Sequence, residues 1–325
     1  MFGSAALTLN RLALPVFGLT RLAGLIYALF NTPQLLQNLY VPFLQSFVDN
    51  PSVDPWAIWI ADPSNATDAF PYGWPVLLLL AGVYGVGHSI GLGAQAILLV
   101  FLAADVFTFF LLRRFGTKKA TLASSIYAIT PAPLFAFVLS GGTDVLVMTA
   151  LLATVYALNR KQFAKAGLLI GFAISAKLII LLAVPVLVAL IFRPGVLPWR
   201  YASRDLLFAF GSVAALGLAL APILYSAAFR LAFAESDPAI AVLTTEAGFS
   251  GSGVLLVPLV VGGLVVLAAR LRRSSFELIT LALATPLVVL GALPVSPYGW
   301  AVWSAPLLAI LLAHVRVSFL ALALS

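Results

Sequence analysis

Three candidate functional residues with ionisable side chains lie inside, or at the start of, long apolar stretches, where a charge is costly. Lys177 falls in the middle of the stretch 166–192, and its ammonium can hold a phosphate group as a point charge. The alternatives are that it extends to an interface or pairs with Asp144, and we favour the phosphate-binding interpretation. Asp144 follows Ser140-Gly-Gly-Thr at the start of an apolar run, so helix capping and catalysis are both open to it. Asp105 lies deep in the run 91–112 and must face a partner or a cavity.

Four more carboxylates share the segment 31–75, which contains no Lys or Arg; they are Asp49, Asp54, Asp62 and Asp68. A carboxylate can act as a general base or bind a divalent cation. Aromatic rings such as Trp56 and Tyr72 can pack on a sugar or lie in the interfacial belt of a membrane. The alternative is a solvated loop in which Asp residues form turns, as in the Asp-Pro pairs at 54–55 and 62–63.

The composition indicates a membrane protein. Of the 325 residues, 62% are hydrophobic and 9% are charged, whereas a soluble globular protein has about 25% charged residues. The same values exclude a soluble enzyme, a disordered chain and a coiled coil. Because lipid leaves no partner for exposed backbone groups, we expect an all-α integral membrane protein. Residues 1–325 form a single transmembrane domain, with 31–75 as an outer loop containing short helices.

Apolar runs of roughly spanning length recur along the whole chain. They are found at about 12–30, 76–88, 91–112, 120–139, 143–158, 166–192, 206–229, 253–269, 276–292 and 300–313. The predicted architecture is therefore a polytopic bundle of about 9–11 transmembrane segments, some of them short or re-entrant. The stretch 76–112 is tight for two crossings, so one and two crossings both remain open. The stretch 166–192 is interpreted as a hairpin of two half-length helices with Lys177 near its outer tip.

Basic residues fall in four short clusters between these runs. The clusters are Arg113, Arg114, Lys118 and Lys119; Arg160, Lys161 and Lys165; Arg193, Arg200 and Arg204; and Arg270, Arg272 and Arg273. By the positive-inside rule these loops are cytoplasmic, and 31–75, 140–143, 230–252 and 293–299 face outward. The net charge of +7 therefore reflects membrane orientation, and we expect no nucleic-acid partner.

The chain has few side chains that could bind a metal ion through nitrogen or sulfur, and none that could react as a thiol. It has no cysteine and two histidines, which excludes Cys-ligated metals, disulfides and a His-built metal centre. We expect no cofactor, and a divalent cation on the outer carboxylates is the one alternative.

Four stretches in a fixed order carry a family resemblance. They are Asn38-Leu-Tyr with Asp54-Pro-Trp and Phe70-Pro-Tyr-Gly-Trp-Pro; Ser140-Gly-Gly-Thr-Asp144; Ala166-Gly-Leu-Leu-Ile-Gly-Phe-Ala-Ile-Ser-Ala-Lys177 with Pro185; and Ser296-Pro-Tyr-Gly-Trp300 with Trp303 and Pro306. Together they span 38–306. This arrangement resembles the GT-C class of glycosyltransferases that use polyprenyl-phosphate sugars, particularly its mannosyltransferase-like branch.

The resemblance implies transfer of a mannose-like hexose from a polyprenyl phosphate to an acceptor on the outer face. A carboxylate of the first outer loop serves such enzymes as general base, a role that Asp49 or Asp54 would take here. Lys177 would contact the lipid phosphate. Asp144, Trp56, Tyr72 and Tyr298 would complete the substrate site. The implied location is the bacterial inner membrane, with 31–75 in the periplasm.

The sequence departs from the family pattern soon after the first helix. Where the catalytic acid is expected, it has Gln34 and Asn38, and an amide cannot act as a base at neutral pH. The chain is also short for the class. A second interpretation is therefore a non-catalytic GT-C-derived subunit of a larger membrane complex. A transporter or flippase is a third, although the chain lacks the two-fold internal repeat typical of that class.

Overall fold

The computed structural model describes residues 2–115, 118–191, 202–235, 246–247, 254–255, 261–266, 280, 284–285, 287–288 and 302–315. This part of the chain is almost wholly helical. Its two strands, β1 (Glu246–Ala247) and β2 (Val254–Leu255), form a short antiparallel pair. The all-α prediction is confirmed at this level.

The N-terminal half alternates long apolar helices with short ones. Its helices are α1 (Phe2–Phe30), α2 (Val41–Asp49), α3 (Pro55–Ile60), α4 (Trp74–Ser89), α5 (Gly93–Arg113), α6 (Lys118–Ile129) and α7 (Ala132–Leu134). Two π-helical turns, Leu36–Tyr40 and Phe135–Ser140, precede α2 and follow α7. The segment 31–75 thus contains short helices, as predicted.

The second half continues in the same manner. Its helices are α8 (Asp144–Asn159), α9 (Phe163–Ala176), α10 (Val184–Ile191), α11 (Ala202–Tyr225), α12 (Ala227–Glu235) and α13 (Ala305–Val315). A 3₁₀ helix, Leu178–Ala183, joins α9 to α10. Helices α9 and α11 pack closely through small residues: a Cβ on Gly171 would lie 2.1 Å from Cβ of Ala215.

Two of the described helices are long and apolar enough to cross a membrane, Leu12–Phe30 and Gly93–Arg113. They match the predicted runs 12–30 and 91–112 closely. A third span is added if the bent pair Ala214–Tyr225 and Ala227–Glu235 is counted as one. Other apolar helices are shorter: α8 has 16 residues and α9 has 14. At about 1.5 Å per residue, neither alone covers a hydrocarbon core of about 30 Å.

The stretch 76–112 forms two helices rather than one. Helices α4 and α5 pack against each other after a three-residue connection, 90–92. Gly91 has a φ of 76°, a left-handed conformation that costs glycine little. Helices α4 and α5 pack closely next to this turn, since a Cβ on Gly87 would lie 2.4 Å from Cβ of Ala96.

The run 206–229 does not form the single straight helix that its hydropathy predicts. The helix axis turns by 102° between Tyr225 and Ala227. Residues 230–235, predicted as the start of an outward loop, instead continue α12. Hydropathy misses this bend because α12 is itself apolar and packs against α3.

The loops after α5 and α8, which carry the first two basic clusters, lie at the same end of the described helices. The ring of Phe115 lies 5.2 Å from that of Tyr156, which brings the loops after α5 and α8 together. A Cβ on Gly211, near the start of α11, would lie 2.6 Å from the carbonyl of Ala164. Arg193 and Arg200 of the third basic cluster, and the whole fourth cluster, 270–273, lie outside the described residues.

Candidate functional site

Lys177 lies where the apolar stretch 166–192 breaks. Its backbone is extended, with φ −151° and ψ 106°, and its N–H donates to the carbonyl of Ala173 at 2.9 Å. The side chain is partly buried. Its Nζ lies 5.3 Å from the centroid of the Tyr72 ring, within the range of a cation–π interaction. The break is thus confirmed at the charged residue, and the aromatic face positions the ammonium.

Backbone contacts bring Tyr72 to Lys177. The N–H of Gly73 donates to the carbonyl of Ser175 at 3.1 Å. Gly73 is required here because a Cβ on it would lie 2.6 Å from the carbonyl oxygen of Ala219. The segment 31–75 is therefore anchored directly on α9 and α11.

A second tyrosine, Tyr40, contacts Tyr72 beside Lys177. The hydroxyls of Tyr40 and Tyr72 form a hydrogen bond, and their rings meet edge to face at 5.5 Å. Burial raises the pKa of Tyr40 well above its ordinary value, so this phenol stays protonated and can donate a hydrogen bond. Sequence reasoning did not assign Tyr40. The available signal was its place in Asn38-Leu-Tyr, and the π-helical turn that ends at it is a feature frequent at functional sites.

Asp144 faces the same cluster from the first turn of α8. It is 7% exposed, and Trp303 Nε1 donates to its Oδ1 at 2.8 Å. It is close enough to both Lys177 and Tyr40 to interact with them electrostatically. No N–O contact within 4 Å joins Lys177 to Asp144, so the two side chains, both described, do not form a direct ion pair.

The chain reaches Asp144 through a tight turn. Gly141 has a φ of 65°, and a Cβ on it would lie 2.7 Å from Cβ of Pro33. The Ser140-Gly-Gly-Thr motif therefore brings the start of α8 against the beginning of the outer segment 31–75. We name the side chains of Tyr40, Tyr72, Asp144 and Lys177 the Lys177 cluster.

The two predicted catalytic carboxylates lie apart from the Lys177 cluster. Asp54 caps α3, accepting a hydrogen bond from the N–H of Ala57 at 3.1 Å. The same Oδ1 accepts from Ser226 Oγ at 2.7 Å, at the bend before α12. Asp49 is exposed at the end of α2. Neither forms a hydrogen bond or ion pair with a member of the cluster.

Of the two other predicted binding residues, Trp56 and Tyr298, the structure describes only Trp56. Trp56 is buried, donates to the carbonyl of Phe70 at 2.8 Å and packs against Phe229 at 4.7 Å. The ring centroids of Phe70 and Tyr72 are 4.9 Å apart. Trp56 therefore supports the position of Tyr72 indirectly, through Phe70. Tyr298 lies outside the described residues.

A separate buried ion pair explains two other charges. Arg21 Nε donates to Asp105 Oδ2 at 2.8 Å, and both side chains are at most 3% exposed. Tyr127 donates to the other oxygen of Asp105, and Arg21 also donates to the carbonyl of Ala128 at 3.1 Å. The partner expected for Asp105 is therefore an arginine on α1. This pair joins α1, α5 and α6.

Within the described ranges, no three His, Asp or Glu side chains come together as metal ligands. Comparison of the chain with protein-family models, curated proteins and solved structures gives no match. The chemistry of the Lys177 cluster therefore carries the argument about function.

Proposed function

We propose that this chain is a multi-pass membrane glycosyltransferase that takes a mannose-like hexose from a polyprenyl phosphate. One observation carries the proposal: a partly buried ammonium, Lys177, lies on the ring of Tyr72 beside a buried carboxylate. An ammonium held in this way can bind a phosphate as a point charge. The phenol of Tyr40 adds a hydrogen-bond donor to the same place.

The membrane setting is supported by the exposed surface. Many large apolar side chains face outward on helices of spanning length, including Leu19 at 68% and Phe30 at 84% exposure. We propose about 9–11 crossings in the bacterial inner membrane. The basic loops would then lie in the cytoplasm, and 31–75 with the Lys177 cluster would lie on the periplasmic side.

The proposed reaction is an inverting displacement at the anomeric carbon. The acceptor hydroxyl forms a new C–O bond while the bond from the sugar to the phosphate oxygen breaks. That oxygen keeps the electron pair, and Lys177 stabilises its charge. A carboxylate takes the hydroxyl proton. Asp49 and Asp54 are the candidates from the family resemblance, and Asp144 is the carboxylate that shares the Lys177 cluster.

The experiment measures transfer from a polyprenyl-phosphate mannose probe to acceptors in membranes that contain the full chain. We expect Lys177→Ala, and either Asp49→Ala or Asp54→Ala, to abolish transfer. Asp144→Asn tests the third carboxylate. The matched control is Lys165→Ala, an exposed lysine on the same helix. Retained transfer in the variants of Asp49, Asp54 and Lys177 would overturn the site assignment.

A second function is favoured by the placement of the outer carboxylates. Asp54 is occupied by the cap of α3 and by Ser226, and the exposed amides Gln34 and Asn38 replace the expected acid. These features suit a non-catalytic subunit of a larger membrane complex. This alternative predicts stable co-purification with other membrane subunits and no bound lipid phosphate. A monodisperse monomer that turns over the lipid-linked sugar excludes it.

A further inference from the structure

A groove with a basic rim runs along the C-terminal end of α5, and none of its lining residues belongs to the Lys177 cluster. It encloses about 460 Å³ and is lined by Phe107, Phe110, Leu111, Arg113 and Arg114. This volume lies within the range of about 300–1,000 Å³ typical of small-molecule sites.

Four of the five lining residues lie on one stripe of the helix. Phe107, Phe110, Leu111 and Arg114 are spaced i, i+3, i+4 and i+7, so their side chains share a face. Leu111 forms the buried floor, whereas Phe107 and Phe110 are 50% and 47% exposed. The apolar part of the groove therefore leads directly to guanidinium groups at the end of the helix.

One of the two arginines is positioned by an aromatic ring, and both lack acidic partners among the described residues. The guanidinium of Arg113 lies 5.8 Å from the ring centroid of Phe109, which itself stacks on Phe17 of α1 at 4.3 Å. Neither arginine has a carboxylate within 4 Å among the described residues. The sequence holds no Asp or Glu between Asp105 and Asp144, while Lys118 and Lys119 follow closely.

We propose that this groove binds an anionic phospholipid, with the acyl chain along Phe107 and Phe110 and the phosphate on Arg113 and Arg114. Guanidinium groups bind phosphate through paired hydrogen bonds. Charge complementarity selects the headgroup, and the exposed phenyl rings select a lipid over a free phosphate. This proposal is independent of the glycosyltransferase assignment, since it concerns the opposite, basic end of the helices.

The test is native mass spectrometry of the full chain released from nanodiscs that contain phosphatidylglycerol and phosphatidylcholine. We expect phosphatidylglycerol to be retained selectively. The double variant Arg113→Gln/Arg114→Gln should weaken its binding roughly 10- to 30-fold, because each basic residue contributes about 1 kcal/mol to binding of an anionic surface. The control Arg160→Gln/Lys161→Gln removes an exposed pair at the same end that does not line the groove, so it should weaken binding of the lipid in the groove much less.

Other outcomes overturn the proposal. An equal loss in both double variants indicates non-specific attraction, and equal retention of phosphatidylcholine shows that charge does not select the lipid. Displacement of phosphatidylglycerol by millimolar inorganic phosphate indicates a free-anion site. If the Gln variant does not fold, Arg113→Lys/Arg114→Lys keeps the charge but loses the paired geometry, and unchanged retention there contradicts guanidinium recognition.

Discussion

Trp303 Nε1 donates a hydrogen bond of 2.8 Å to Asp144 Oδ1, joining the residues before the last described helix to the start of α8. Asp144 is thereby held beside Lys177 without a direct ion pair. The charge of Lys177 is thus left available to a ligand, because its nearest carboxylate is already a hydrogen-bond acceptor for an indole.

Trp303→Phe should destabilise the chain while keeping most of the buried ring. A hydrogen bond to a charged group contributes about 1.5–3 kcal/mol, and its loss leaves Asp144 with one partner fewer. Thermal unfolding of the purified protein measures the change. We also expect weaker binding of a polyprenyl phosphate, because Asp144 is then free to approach Lys177. A stable variant with unchanged binding would contradict this role for Trp303.

Asp105→Asn should destabilise the protein strongly. Breaking a buried ion pair by removing one partner costs about 3–5 kcal/mol, because the remaining charge of Arg21 is left uncompensated. The double variant Arg21→Met/Asp105→Leu should lose less stability than Asp105→Asn alone, since it removes both charges. Thermal unfolding of the three proteins decides the matter. A double variant less stable than the single one contradicts the argument.

Asp54→Ala should lower stability by about 1–2 kcal/mol through loss of the cap on α3. It also removes the acceptor for Ser226 Oγ, so limited proteolysis should cut near the start of α12 more readily. The matched control is Asp49→Ala, an exposed residue expected to change stability by less than about 0.5 kcal/mol. If Asp54→Ala abolishes sugar transfer without loss of stability, its role is catalytic rather than structural.

Gly141→Ala should destabilise the turn that leads to Asp144. Its φ of 65° disfavours alanine, and the added Cβ would lie 2.7 Å from Cβ of Pro33. The expected cost exceeds about 1 kcal/mol. Gly82→Ala is the control: this helical glycine has open space around it, so the substitution should be neutral or stabilising. Equal effects of the two substitutions on thermal unfolding would contradict the prediction.

Hydropathy and isolated charges predict the all-helical class and part of this fold. The spans Leu12–Phe30 and Gly93–Arg113 agree closely with the apolar runs, and Lys177 lies where its helix breaks. The pairing of Arg21 with Asp105 could not be predicted, because composition does not show which helices become neighbours. The bend between Tyr225 and Ala227 was missed for a similar reason: its partner, Asp54, lies 172 residues away in the sequence from Ser226.

The candidate site shows the same limits. Lys177, Asp144 and Tyr72 were predicted as parts of one substrate site through the family resemblance, and the structure places them close together. Tyr40 joins them only because Gly141 packs on Pro33 and Gly73 on Ala219, contacts between distant segments. Asp49 and Asp54 were chosen because the family resemblance implies a general base in the first outer loop, and a loop pattern does not show which way a carboxylate points.

The ion pair between Arg21 and Asp105 has a consequence for biogenesis in the bilayer proposed above. Inserting an arginine alone near the centre of a helix costs about 2.5–3.5 kcal/mol, and its partner follows 84 residues later. The first helix would therefore leave the ribosome without the carboxylate that neutralises it. Its stable integration would then wait until α5 and α6 have been synthesised. The first helix would reach its final position in the bilayer only after these later helices are present.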